Sequence, residues 1–376
     1  MRLTIEKQIA VSPGMTTGFD YLRIVLSLAV LTWHAFAVCN FETATALWGG
    51  PWRAVPAIIL PMFFALSGYL VTGSLMRVRL HQFALLRVLR IIPALTFETV
   101  LTALLLGPVF TVLPLAVYFS SPEFFAYFFN IIGYIHYTLP GVFDGRMLNA
   151  QLWTIPSELE CYVILIGAAV VGLTTRRHLL ALVTIAGAIA ATLHAFGGET
   201  LNPYAPLGGR VLVFSFLAGA LILLYKDRIP YRFDLFALSF VTSAVLLTFP
   251  KTSYLAGFPV AYATVWLGLT RPPKLAFGDL SYGVFLFHFP ILQCAYQIGG
   301  DATPWPIYFA IVLPVTILFA GLSWYGIERP ILHRKTAIIA AIERRAAWIA
   351  AHLPTGPRRA LQKTSRKAVQ TFSTRP

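Results

Sequence analysis

LRIVLSLAVLTWHAF, Leu22 to Phe36, sets an arginine and a histidine inside a run that is otherwise apolar enough to cross a bilayer. An ionisable side chain is expensive in such a run and marks function by default. Arg23 and His34 are eleven residues apart; at about 100° per residue that is just over three full turns, so both lie on one helical face, about 16 Å apart along the axis. One face therefore carries a cation near one end and a titratable base toward the other. They can serve one lumen.

The composition says what surrounds that face. Of 376 residues, 57% are hydrophobic and only 12% charged, and the mean hydropathy is +0.73. A water-soluble surface cannot be built from this, and the chain reads as a polytopic, all-α membrane protein. The formal charge of +14 does not indicate nucleic acid, because the basic residues fall in short clusters between apolar runs and in the tail, as in cytoplasmic loops. Cys39, Cys161 and Cys294 are odd in number and widely spaced, so neither a disulfide framework nor a zinc site is indicated and no metal is expected. Ala35-Phe36-Ala37 imitates a signal-peptidase site, but its apolar run is longer than a signal h-region and is expected to stay in the chain.

Apolar runs of about 20 residues lie near 19–39, 54–75, 88–106, 157–174, 178–196, 208–225, 233–250, 254–270, 280–299 and 306–327. With the N-terminus inside, the basic residues of 76–90, Arg176-Arg177, Lys226/Arg228/Arg232, Arg271/Lys274 and Arg334-Lys335 all fall inside. Opposite them, 40–53, 107–156, 197–207 and 300–305 carry Glu42, Glu123, Asp144, Glu199 and Asp301. The expectation is ten transmembrane helices with both termini cytoplasmic. Residues 1–333 form the membrane domain, with 107–156 an external or re-entrant segment folded back on the helices. Residues 334–376, with ten Lys/Arg against Glu343 alone, form a basic cytoplasmic tail: an amphipathic stretch from Ala337 to Leu353 on the inner leaflet, then a disordered remainder.

Other polar residues join the first pair. Arg87 and Arg90, in LLRVLRIIPAL, share a helical face at the cytoplasmic mouth of the third helix and suit a phosphate group. In NAQLWTIPSELECY, Glu158 stands in the first turn of the fourth helix, where the dipole favours an acid, and Glu160 points elsewhere. In FGDLSYGVFLFHFP, Asp279 is read as an N-cap, with Ser281 and His288 on one face. His136 and His194 have no polar companions and are read as structural. No HExxH, Walker, nucleophile-elbow or dinucleotide pattern appears.

Together these stretches resemble the membrane-bound acyltransferase-3 family. The resemblance covers roughly 17–333 and rests on FDYLRIVLSLAVLTWHAF, PMFFALSGYLV, the Arg87-x-x-Arg90 pair followed by Pro93, LWTIPSELECY, LSYGVFLFHFP and IERP at 327–330, six motifs in the family's order. Pro156 departs from the pattern, standing where the family often has Ser. The resemblance implies an O-acyltransferase that moves an acyl group, commonly acetyl, from acyl-CoA to hydroxyls of glycans, glycolipids and other acceptors, in a bacterial inner membrane.

Such chemistry needs a base for the alcohol proton. His34 is the candidate, because an imidazole pKa of about 6.5 leaves it mostly neutral at pH 7. Arg23, Arg87 and Arg90 would hold the CoA phosphates at the inner surface while the pantetheine arm runs toward His34. Glu158 would hydrogen-bond the acceptor or orient His34, and Ser281, Tyr282, His288 and Trp153 are candidates for the lumen or acceptor site. An acyl-His34 intermediate and direct transfer both stay open, as do a homo-oligomer and a separate biosynthetic partner. The rival reading is a secondary transporter with the Arg, His and Glu residues as its pathway.

Overall fold

A computed structural model of the chain describes residues 3–11, 17–198, 207–275 and 278–352. Among them there are helices, two isolated β-bridges and no strand. Each expected apolar run contains a helix: α1 (Gly18–Cys39), α2 (Ile59–Leu75), α3 (Leu80–Leu101), α4 (Thr154–Val170), α5 (Arg177–Phe196), α6 (Gly209–Leu224), α7 (Phe233–Thr248), α8 (Gly257–Gly268), α9 (Ser281–Gly299) and α10 (Trp305–Ser323). Six helical segments are long and apolar enough to cross a membrane: Gly18–Cys39, Ala54–Leu75, Leu80–Phe110, Ala150–Val170, Arg177–Phe196 and Trp305–His333. α6 and α7 are apolar but shorter, and α8 has only 12 residues. The chain up to Pro330 is one compact unit; Lys335–His352, a helix over most of the expected amphipathic stretch, belongs to a second. The rest of the basic tail and Glu199 lie outside the described residues.

α2 and α6 form the tightest seam. A Cβ on Gly68 would stand 1.9 Å from the Phe216 carbonyl oxygen, and one on Gly219 would stand 2.0 Å from that of Ala65. Two glycines facing opposite ways let the backbones touch, the device by which membrane helices gain packing without help from water.

The third helix starts earlier than its apolar run. Phe83 is fully buried and anchors the first turn, so the helix begins at Leu80. Arg87 and Arg90 therefore stand about 10–15 Å along the helix from its first residue.

Four basic clusters gather at one end of the unit. Ile5 N donates to Ile229 O at 3.0 Å and Tyr231 N to Leu3 O at 2.8 Å, and Lys226 pairs with Glu6 at 3.4 Å. Arg177 pairs with Asp227 at 2.5 Å, and Gly18 N donates to Thr270 O at 3.2 Å, beside Arg271. At another place Arg53, 5% exposed, donates to Ser253 Oγ at 2.9 Å and lies over Trp48. Residues 107–153 form short helices around a core that includes Tyr118, Tyr127 and Phe143. This segment is tied to the π-helical turn Thr102–Leu106 that continues α3 by Tyr118 Oη donating to Ala103 O at 2.7 Å, and within it Asn149 Nδ2 donates to Tyr127 Oη at 2.8 Å. The short 3₁₀ turn Ala150–Trp153 meets α9 through Gln151 and Leu286.

Candidate functional site

Polar side chains from α1, α3, α4, α9 and the end of α10 converge. Just before α9, Asp279 accepts at Oδ2 from Arg23 Nη1 at 3.1 Å and from Arg90 Nη2 at 2.6 Å. Arg90 Nη1 reaches Glu328 Oε2 at 3.2 Å, and Ser323 Oγ donates to Glu328 Oε1 at 3.0 Å. Asp279 is not the N-cap the sequence indicates: Leu280 holds that position with no side-chain cap. Its carboxylate is shared between the two guanidiniums and Ser281. Burial raises the Asp279 carboxyl, but the Arg90 and Arg23 charges and the Ser281 hydroxyl hold it below its ordinary value. Ser281 donates to Asp279 Oδ1 at 2.5 Å, and the Tyr282 ring lies 5.6 Å beneath the Arg90 guanidinium.

Arg87 differs from its neighbours. It donates to Ser74 Oγ at 3.5 Å and lies over Phe83; its buried Nε has no hydrogen-bond partner, and among the described residues it has no ion pair. Glu158 comes from α4 to the same region, accepts from Tyr162 Oη, and lies within electrostatic reach of Arg87, Arg90 and Arg23. Its neighbours are thus the arginines, while the hydrogen-bond partner of His34 is another residue.

That partner is His288, fully buried in α9. His34 Nδ1 and His288 Nε2 are 2.7 Å apart. The rings are almost parallel, 7° apart, with centroids 5.0 Å apart; with nitrogens so much closer than centroids, they meet edge to edge in a linear hydrogen bond. Surrounding groups decide where the protons are. His288 Nδ1 lies 3.1 Å from Val284 O and 2.8 Å from Phe285 O. Carbonyls can only accept, so His288 Nδ1 carries the proton and its Nε2 is the acceptor. His34 Nδ1 must then be the donor, and the lone pair of His34 sits on Nε2. The pair holds His34 in the tautomer a general base needs.

His34 also lines a cavity of about 60 Å³, shared with Trp33, Trp48, Gln151, Trp153 and Phe285 among others. Trp33 and Trp48 meet edge to face at 5.8 Å. Trp153 and Glu158, neighbours in one motif, therefore part company: the indole faces the cavity and the carboxylate joins the arginines. Among the described residues no three His, Cys, Asp or Glu side chains gather as a metal site.

A family model described as an acyltransferase domain matches residues 16–325. The chain belongs to this acyltransferase-3 family. It is similar to nodulation protein 10 of Rhizobium leguminosarum bv. viciae, 27% identical over 88% of this chain and 96% of that one. It is also similar to an O-acetyl transferase of Shigella phage Sf6, 25% identical over 85% of this chain and 96% of the other. No solved structure is significantly similar. The acyltransferase brings its widely separated motifs together: Arg23, Arg90, Asp279 and Glu328 in one cluster, His34 and His288 in one pair.

Three residues of the site do not stand out in the sequence: Asp279 reads as a cap, Glu328 stands only within IERP, and Gln151 only within NAQLWTIPSELECY. Two intramembrane arginines without a named counter-charge were the available signal for both carboxylates.

Proposed function

We propose that this acyltransferase moves an acetyl group from cytoplasmic acetyl-CoA to a hydroxyl of a cell-surface or exported glycan or glycolipid, with His34 as general base. The observation that carries the reading is the His34–His288 pair at the wall of a cavity. As the acceptor oxygen attacks the thioester carbonyl, His34 Nε2 takes its proton; the C–S bond breaks, and the same proton passes to the CoA sulfur. His288 keeps the ring oriented and accepts a charge-assisted hydrogen bond while His34 is cationic.

At the donor end, Arg23, Arg87 and Arg90 receive the CoA phosphates in this reading. Asp279 and Glu328 already hold Arg23 and Arg90, so Arg87 is the guanidinium most ready for a new anion, with Glu158 and Tyr162 beside it. Trp33, Trp48 and Trp153 supply the apolar, ring-stacking surface that saccharides favour. Gathering of the basic clusters at one end supports ten crossings with both termini in the cytoplasm and an inner-membrane location. Membership of an acyltransferase family weighs against the transporter reading.

The test is mass spectrometry of surface glycans from cells carrying the wild-type gene, the His34→Ala gene or none. An acetyl-sized difference present with wild type and lost with His34→Ala is expected. An undiminished difference in the His34→Ala cells would remove His34 from the mechanism.

A further inference from the structure

Pro290 sits inside α9 and has no N–H to offer the carbonyl four residues earlier, that of Leu286. A side chain replaces it: Gln151 Nε2 donates to Leu286 O at 2.7 Å. Because that carbonyl can only accept, the amide orientation is decided by chemistry, and Oε1 is the atom left over. Gln151 is 1% exposed, its Oε1 has no hydrogen-bond partner, and the residue lines the cavity that holds His34. Burying a carbonyl oxygen away from any donor is unfavourable. An apolar residue would carry no such cost at Oε1, and this oxygen, beside the cavity of His34, is available to a donor that arrives with the substrate.

We infer that Gln151 is a specificity-determining residue: its Oε1 accepts a hydrogen bond from a second hydroxyl of the acceptor, adjacent to the hydroxyl that His34 deprotonates. The substrate class is thereby narrowed from any alcohol to a polyol such as a sugar ring with neighbouring hydroxyls. This inference rests on the acetyl-transfer reading above. Gln151 fixes which hydroxyl meets His34, since the neighbouring one is already engaged. Its rigid tie to Leu286, two residues from His288, makes the spacing between the two contacts a property of α9 itself.

The experiment uses the full-length protein in lipid nanodiscs with labelled acetyl-CoA. The acceptor probe is the surface glycan of the expressing cells, de-O-acetylated with mild alkali. Wild type, Gln151→Met, Pro290→Ala and the double variant are compared. Pro290→Ala restores a backbone N–H for Leu286 O, so the double variant isolates the loss of Oε1 from the loss of Nε2. In the double variant relative to Pro290→Ala, the acceptor KM should rise about tenfold, the loss of one hydrogen bond to a buried polar group. The acetyl-CoA KM should stay the same, and NMR of the product should find acetyl at more than one ring position.

An unchanged acceptor KM with a single acetylated position overturns the inference while leaving the acetyl-transfer reading intact. Both KM values rising together, with a lowered thermal midpoint, would show that Gln151 only supports the fold and would also overturn it. No label transferred by wild type refutes the acetyl-transfer reading itself and this inference with it.

Discussion

Replacing His288 with Ala removes the acceptor of the His34 Nδ1–H bond, made at 2.7 Å to a residue with no exposed surface. The stranded donor costs about 1–3 kcal/mol. If that cost falls on the transition state, where His34 is cationic, then at about 1.4 kcal/mol per decade kcat should fall from roughly fivefold to somewhat over a hundredfold. His34→Ala removes the base altogether and should cost more, about 10²–10⁴-fold. Since His288 acts through His34, the double variant should be no slower than His34→Ala alone, and the cycle should be strongly non-additive. His288→Gln, whose side-chain oxygen can accept the same bond, should recover part of the loss. The assay is acetyl transfer from labelled acetyl-CoA in nanodiscs, with acetyl-CoA binding and thermal midpoint as controls for folding. A His288→Ala protein with wild-type kcat, or a double variant whose losses multiply, would refute the idea that the two rings act as one unit.

Two further outcomes concern the donor end and the orientation. The Asp279 carboxyl is held below its ordinary value, burial opposing and Arg90 and Arg23 favouring the shift, so its contribution to stability is complete above the unfolded pKa of about 4 and is lost as pH falls through the lower folded value. The wild-type thermal midpoint should therefore drop on acidification below about pH 4, and Asp279→Asn should start lower and show a smaller drop. The cost of roughly 3–5 kcal/mol for breaking a fully buried pair is an upper bound here, since Asp279 keeps 23% of its side-chain surface exposed; an acid response identical in both proteins would exclude Asp279 as its source. For orientation, in a cysteine-free background a cysteine replacing Asp227 should resist an impermeant thiol reagent applied to intact cells, whereas one replacing Arg146 should react. Labelling at position 227 from outside would invert the proposed topology.

Some of this protein could be read without any tertiary information, because the signals are local. Hydropathy over about 20 residues marks where helices lie, and each expected run holds one. Helical periodicity puts Arg23 with His34 and Arg87 with Arg90 on shared faces. Even the fact that α9 needs help at Leu286 is written in the position of Pro290. What a one-dimensional reading cannot supply is the partner. His34 and His288 are 254 residues apart in the chain, Arg23 and Asp279 are 256 apart, and Gln151 and Leu286 are 135 apart. Periodicity says which side of a helix a residue occupies but not which helix that side faces. That depends on packing, on details such as the reciprocal glycine contacts of α2 and α6. Asp279 read as a cap and Glu158 read as a neighbour of Trp153 because sequence proximity was the only proximity on view. Tertiary structure gave the first to two arginines, drew the second to the same cluster, and paired His34 with a histidine, because buried charges and donors take the partners that packing brings within reach.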